Sequence, residues 1–444
     1  MGEPIRPEPG GRPPRSRSDP RASRRILRPL QEFLETSVAG GVVLLIAVVA
    51  ALAWANSPWR ASYGAFFSTP LSIGIGELRV TGDLVFWINE GLMALFFLVA
   101  GLEIKRELTT GELRRARAAL LPVVAAAAGM AVPALLYVAI VWGGPGADGW
   151  AIPMATDVAF ALGVLALAAA RAPSGLRPLL LALAIVDDIG SVIVLAVFYA
   201  GDVSAAWLAV TIGVVLLFPA LARLRVRATL VYVILGVALW YAMFRAGIHP
   251  ALAGVVVGAL TPSEPFVRPR HDGTVGDLVP GGAEDDPRPT SQLTRVEHAL
   301  LPWSSFVVLP LFALANVGVD LSASALAAAA GSVVTWAIVV ARVGGKLVGI
   351  GGGASLAARA GIVDLPRGVG PAHLTGMGLA AGTGFTVSLF VAETAFASDG
   401  SLLAHAKIAL LAASVLSACL AIPILRRAGR GRNAPPASAA AEST

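Results

Sequence analysis

Two adjacent carboxylates, Asp187 and Asp188, sit inside the apolar run Leu181-Ala-Leu-Ala-Ile-Val-Asp-Asp-Ile-Gly190, which stays apolar through Phe198. A third, Asp157, follows Pro153-Met-Ala-Thr156, and Arg342 and Lys346 stand one helical turn apart around Gly344-Gly345. In a membrane span each ionised aspartate costs roughly 2.5 to 3.5 kcal/mol on the insertion scale. Residues retained at that cost are expected to work rather than to fill space. Hard cations such as sodium prefer oxygen ligands. Carboxylates, the Thr156 hydroxyl and carbonyls freed by an interrupted helix could supply them.

Burial and a like-charged neighbour both favour the protonated form of a carboxylate. Near neutral pH, protons and sodium would then compete for the same oxygens, and competition at a site open to one side at a time is already an antiport mechanism. Neighbouring helical residues point about 100° apart, so Asp187 and Asp188 should not chelate as a pair. One can face the cation path while the other meets a cation on a neighbouring helix. Lys346 is the candidate partner, one of three lysines against 31 arginines, because lysine releases its proton when buried and arginine effectively does not. A purely structural Asp–Lys pair is the alternative.

Composition says what must position these residues. Of the 444 residues 56% are hydrophobic and 14% charged, with a mean hydropathy of +0.75, against about 25% charged in an ordinary globular chain. The expected fold is an all-α polytopic membrane protein with twelve spans: 36–55, 84–104, 119–142, 151–170, 178–200, 203–222, 228–245, 247–262, 299–318, 328–351, 374–397 and 402–425. Residues 1–28 read as a disordered basic tail without the apolar core of a cleavable signal peptide. Residues 29–425 read as one domain, 263–298 as a linker between its halves, and 426–444 as a second polar tail. Cys419 stands alone in an apolar run, so no intrachain disulfide is expected.

Of the 34 Lys and Arg residues, 28 fall in the tails and the even-numbered connections, and only Arg60, Arg79 and Arg245 fall in the odd-numbered ones. The positive-inside rule then places both termini in the cytoplasm, which an even span number requires. The same placement explains the net charge of +6 without nucleic acid, and makes anionic inner-leaflet lipids the expected partner of the arginines. Glu393 and Lys407 lie near span ends, where an interfacial role is expected. Residues 57–83 include Leu71-Ser-Ile73-Gly-Ile75, apolar at alternate positions, which suits an external β-hairpin. Such an edge could pair with a second copy and make a homodimer.

Pro153 interrupts the fourth span, and Gly382, Thr383 and Gly384 interrupt the eleventh. Spans 3–5 and 10–12 are then three-helix sets of opposite orientation, each with a weak middle helix. Paired interruptions in inverted repeats mark a midplane binding site.

Ala151-Ile-Pro-Met-Ala-Thr-Asp-Val-Ala-Phe-Ala-Leu-Gly163 resembles the fourth-span signature of the NhaA-type sodium/proton antiporters. The motifs Ala182–Asp188, Gly101–Leu108, Gly247–Gly254 and Gly345–Ile350 resemble others of the same family, and the likeness runs from about residue 30 to 425. The rule about paired interruptions was itself drawn partly from this family. The resemblance implies crossed, unwound fourth and eleventh helices and electrogenic, pH-regulated exchange of sodium or lithium for protons across the cell membrane. By position it implies that Asp188 is the main cation and proton site, with Asp187 facing Lys346 as a gate or second proton carrier. Sodium or lithium would be held transiently by Asp188 and Asp187. Asp157, beside Thr156, would balance helix dipole ends. Glu103, Arg106, Glu107, Glu297 and His298 resemble a cytoplasmic pH-responsive cluster, and His249 is expected to hydrogen-bond within a packed hairpin. Some members carry a histidine where this chain has Leu301, so a pH range does not transfer. No cofactor and no enzymatic activity are expected. A solute symporter would want a larger polar pocket, and a diaspartyl protease would want a Gly-x-Gly-Asp pattern that is absent.

Overall fold

Inside a bilayer no water satisfies backbone polar groups, so apolar runs must close their hydrogen bonds internally as helices. The computed structural model describes residues 39–76, 78–114, 116–168, 173–224, 226, 228–261 and 292–430. The expected tail 1–28, the linker as far as residue 291 and the C-terminal residues from 431 lie outside these.

In chain order the elements are α1 (Ala39–Ala55), α2 (Arg60–Phe67), β1 (Pro70–Ile75), β2 (Leu78–Asp83), α3 (Leu84–Thr109), α4 (Ala116–Val141), α5 (Val158–Ala168), α6 (Leu176–Phe198), α7 (Ala205–Arg223), α8 (Thr229–Ala246), α9 (Pro250–Leu260), α10 (Leu293–Asn316), α11 (Ala323–Gly331), α12 (Val333–Arg359), α13 (Pro371–Ala381), α14 (Thr386–Ala395) and α15 (Gly400–Arg430). Among the described residues, eight helices are long and apolar enough to cross a membrane: α3, α4, α6, α7, α8, α10, α12 and α15. The number rises to ten if two bent pairs count as one span each, α1 with α2 at 116° and α13 with α14 at 50°. The chain is thus a helical, multi-pass membrane protein, although helix length alone does not return the expected twelve spans. The shortfall has a physical source. Helix α5 has 11 residues, about 16 Å of rise, which is half of a hydrocarbon core about 30 Å thick.

Two expected boundaries are corrected. Residues 292–298 are not linker but the first turns of a helix, because Leu293 and Glu297, four residues apart, both face the packed interior. The expected C-terminal tail from 426 begins as helix, which continues to Arg430. Its arginines suit the negative end of the helix dipole.

The hairpin pairs β1 and β2 antiparallel from Pro70↔Asp83 to Ile75↔Leu78, leaving Ile73 half exposed. On the opposite side of the sequence, α9 packs against α3 at backbone contact. A Cβ on Gly258 would lie 2.6 Å from Leu98 O and Leu102 N, and one on Gly254 would lie 2.7 Å from Leu98 N. Small residues at that spacing let two helices approach where the hydrophobic effect does not drive them together. Gly258→Val should therefore force α9 off α3 at a cost of about 1–3 kcal/mol. A lowered melting temperature in detergent is the readout, and an unchanged one would contradict this packing.

Candidate functional site

Helix α6 carries the paired carboxylates, and its one-residue rotation gives them different surroundings. Asp187 is fully buried, whereas Asp188 is partly exposed. Lys346 Nζ donates to Asp187 Oδ2 at 2.9 Å and to Thr156 Oγ1 at 3.0 Å, and Lys346 is itself fully buried. Among the described residues no basic side chain lies within ion-pair distance of Asp188. Its Oδ1, Asp187 Oδ1 and Ser191 Oγ are buried without a hydrogen-bond partner there. Three such oxygens within two turns of one helix are hard-cation ligands in type, and leaving them unpaired is costly. Asp188 also lies within electrostatic range of Asp187, Glu103, Asp157 and Lys346.

Helix α12 holds Lys346 between two π-helical stretches, Ala341–Gly345 and Leu347–Gly352. Such widened turns occur mostly as short bulges and frequently at functional sites. Here the five glycines 344, 345, 349, 351 and 352 lower the propensity for a regular α-helix. They also admit close neighbours: a Cβ on Gly345 would lie 2.8 Å from Pro133 Cα of α4.

The two expected interruptions are present as breaks, and they touch. Residues 152–157 separate a 3-10 turn, Ala147–Ala151, from α5, and Pro153 lies in this stretch. Residues 382–385 separate α13 from α14. Asp157 Oδ1 accepts from the backbone N–H groups of Ala159 at 3.1 Å and Phe160 at 3.3 Å, the first turn of α5. Its Oδ2 accepts from the Thr386 N–H at 3.3 Å and hydroxyl at 2.9 Å, the first turn of α14. One carboxylate therefore faces two helix N-termini, each equivalent to about half a positive charge. Gly384 makes room for this contact, since a Cβ there would lie 2.6 Å from Ala155 O and 3.0 Å from Asp157 N. Thr383 turns back to Ala380 O at 2.6 Å instead of toward the carboxylates.

A second group lies along α3 and the start of α10. Arg106 pairs with Glu297, at 3.9 Å with Glu103 and at 3.7 Å with Glu107. Glu297 is buried, so this is not a solvated loop, and the cause is the helical start of α10 described above. His298 is exposed on that same helix and makes no contact within the group that the distances define. Glu393 and Lys407, expected near span ends, pair with each other at 2.7 Å.

Spacing arguments passed over Glu90. It lies in the expected second span, and its Oε1 is 3.0 Å from His249 Nδ1 while its Oε2 accepts from Ala251 N–H at 3.1 Å. The signal was available, because a carboxylate among Trp87, Leu92 and Phe96 needs a partner. His249 does hydrogen-bond, but to Glu90 of α3 rather than within the hairpin of α8 and α9. Arg342 was visible in the sequence as a charge in a span, but three of its four partners are backbone carbonyls that no side-chain pattern reveals.

Residues 31–425 match the family described as Na+/H+ antiporter 1. The chain is 43% identical over 452 residues to the Na(+)/H(+) antiporter NhaA 2 of Sorangium cellulosum, covering 96% of each chain. It is 46% identical over 405 residues to the Na(+)/H(+) antiporter NhaA of Acidovorax sp. strain JS42, covering 88% of this chain and 90% of that one. With the protein of that name from Citrobacter koseri it shares 40% identity over 403 residues, 90% of this chain and 98% of the other.

Proposed function

The chain belongs to the Na+/H+ antiporter 1 family, a family of transporters rather than enzymes, and from that premise we propose that it extrudes sodium or lithium in electrogenic, pH-regulated exchange for protons. In this reading Asp188 binds the ion or the proton in turn. Asp187 gates it by holding or releasing Lys346, this pair carries the further proton that makes the exchange electrogenic, and Asp157 with Thr156 steadies the two helix breaks, which cross near the bilayer midplane within a twelve-span fold. Alternating access exposes the carboxylates first to one side and then to the other.

The observation that carries this is the split within α6: Asp187 is buried against Lys346, while Asp188, one residue on, has no counter-ion in contact among the described residues to compensate its buried, unpartnered oxygen. A carboxylate so placed gains most from a cation or a proton, and cannot hold both. The Arg106 group with Glu103, Glu107, Glu297 and His298 is the proposed pH-responsive element. By charge placement the termini are cytoplasmic, the exposed arginines meet anionic lipid, and the hairpin pairs with a second copy of the chain in the cell membrane.

Everted vesicles with a trapped pH-sensitive dye test the exchange. Adding sodium or lithium should collapse a preformed acid-inside gradient, and potassium should not. Equal collapse by all three ions, or by none, would reject the proposal.

A further inference from the structure

Among the described residues Arg342 is the largest fully buried side chain, and no carboxylate there lies within ion-pair distance of it. A guanidinium stays protonated under all ordinary conditions, and a buried charge needs compensation. Its compensation comes from oxygen dipoles. Nε donates to Gly382 O at 3.0 Å, Nη1 to Ser388 Oγ at 2.7 Å and to Ile152 O at 3.3 Å, and Nη2 to Ala155 O at 2.9 Å.

The three carbonyls share an origin. Gly382 caps the C-terminus of α13, and Ile152 and Ala155 follow the 3-10 turn before α5. They are the orphan acceptors that interrupted helices leave behind, carrying the partial negative charge of a helix C-terminal end. Asp157 faces the N-terminal ends across the same two breaks, so Arg342 is its electrical counterpart. The contact also bears on the ion site. Ala155 precedes Thr156, whose hydroxyl accepts from Lys346, and Lys346 lies one turn beyond Arg342 on α12.

We propose that Arg342 is a positioning residue for ion exchange: a tethered cation whose charge neutralises the carbonyl ends of both helix breaks and so keeps Thr156 and Lys346 in register with Asp187 and Asp188. Three carbonyls and a hydroxyl would suit a sodium ion, and here the protein's own guanidinium fills the nest. The permanence of the charge follows from the residue type. Lys346 can then be released during a cycle while the breaks keep a counter-charge of their own.

The proposal rests on the exchange reading for its readout, and wild-type protein in the same proteoliposomes separates the two. Wild type that exchanges no sodium refutes the exchange reading alone. With wild type active, initial rates are measured against sodium concentration and pH for Arg342→Lys, Arg342→Gln, Arg342→Ala and Ser388→Ala at matched membrane abundance. At pH values where it is protonated, lysine keeps the charge and should leave the apparent KM for sodium within about threefold, whereas Gln and Ala should raise it by about tenfold or more and displace the pH profile. Ser388→Ala removes one acceptor and should change the KM by no more than about twofold. If Arg342→Ala fails to accumulate, the Lys and Gln variants decide the matter. A Gln variant with the wild-type KM and pH profile overturns the proposal, as does a Lys variant as impaired as Gln or a Ser388→Ala variant as impaired as either.

Discussion

Asp188→Asn abolishes sodium/proton exchange, lowering the initial rate by about a hundredfold or more, while the protein accumulates in the membrane and melts as the wild type does. Two features set this expectation. Asp188 holds no ion pair among the described residues, so an amide of the same size breaks no internal contact that the fold depends on. Asp187 Oδ1 and Asp188 Oδ1 are both buried and unpartnered, but Asp187 is held by Lys346 and Asp188 is not, and Asn cannot exchange a proton for a cation at position 188. Dye recovery in everted vesicles, with immunoblotting for abundance, checks both halves. Near-wild-type exchange by this variant would remove Asp188 from the mechanism, and loss of the folded protein would show that its role is structural.

Lys346→Ala has the opposite profile. It leaves the Asp187 carboxylate, fully buried, without its 2.9 Å partner. Breaking a buried pair by removing one member costs about 3–5 kcal/mol, because an uncompensated charge stays behind. The melting temperature should fall by several degrees at least. Replacing both members, Asp187→Leu with Lys346→Met, should restore most of the lost stability, since no buried charge then remains. A single variant as stable as wild type, or a double variant no better than the single one, would show that the pair is not a buried, charged contact.

The contrast between these variants shows what could be seen in the sequence. That Asp187 and Asp188 point apart follows from helical rotation alone, and Lys346 stood out by rarity of type. Pro153 and the Gly382-Thr383-Gly384 run marked both breaks, because proline removes a donor and glycine weakens a helix wherever they occur. The meeting of the breaks was legible only through the family resemblance. It depends on backbone amides of Ala159, Phe160 and Thr386 converging on one carboxylate, and amides look alike in every sequence. The role of Arg342 was hidden for the same reason, since all its partners but the Ser388 hydroxyl are carbonyls. Glu297 was read as loop because polar residues around Thr294-Arg295 masked the spacing of Leu293 and Glu297, which settles on tertiary packing against α3. The twelve spans were read from hydropathy, which does not distinguish a full crossing from two half-length helices meeting end to end.

The disposition of charge around the breaks has a consequence for which ions can be carried. Asp157 is balanced by two helix N-termini, Arg342 by the carbonyl ends, and Asp187 by Lys346. While those three balances hold, the surplus among these five side chains is a single negative charge, that of Asp188. One lithium or sodium ion, or one proton, brings the centre to neutrality. A calcium or magnesium ion would leave a net positive charge in a medium that solvates it poorly, at a cost of several kcal/mol. Valence selectivity then needs no filter of defined radius, because it is written into the number of charges the fold leaves unmatched.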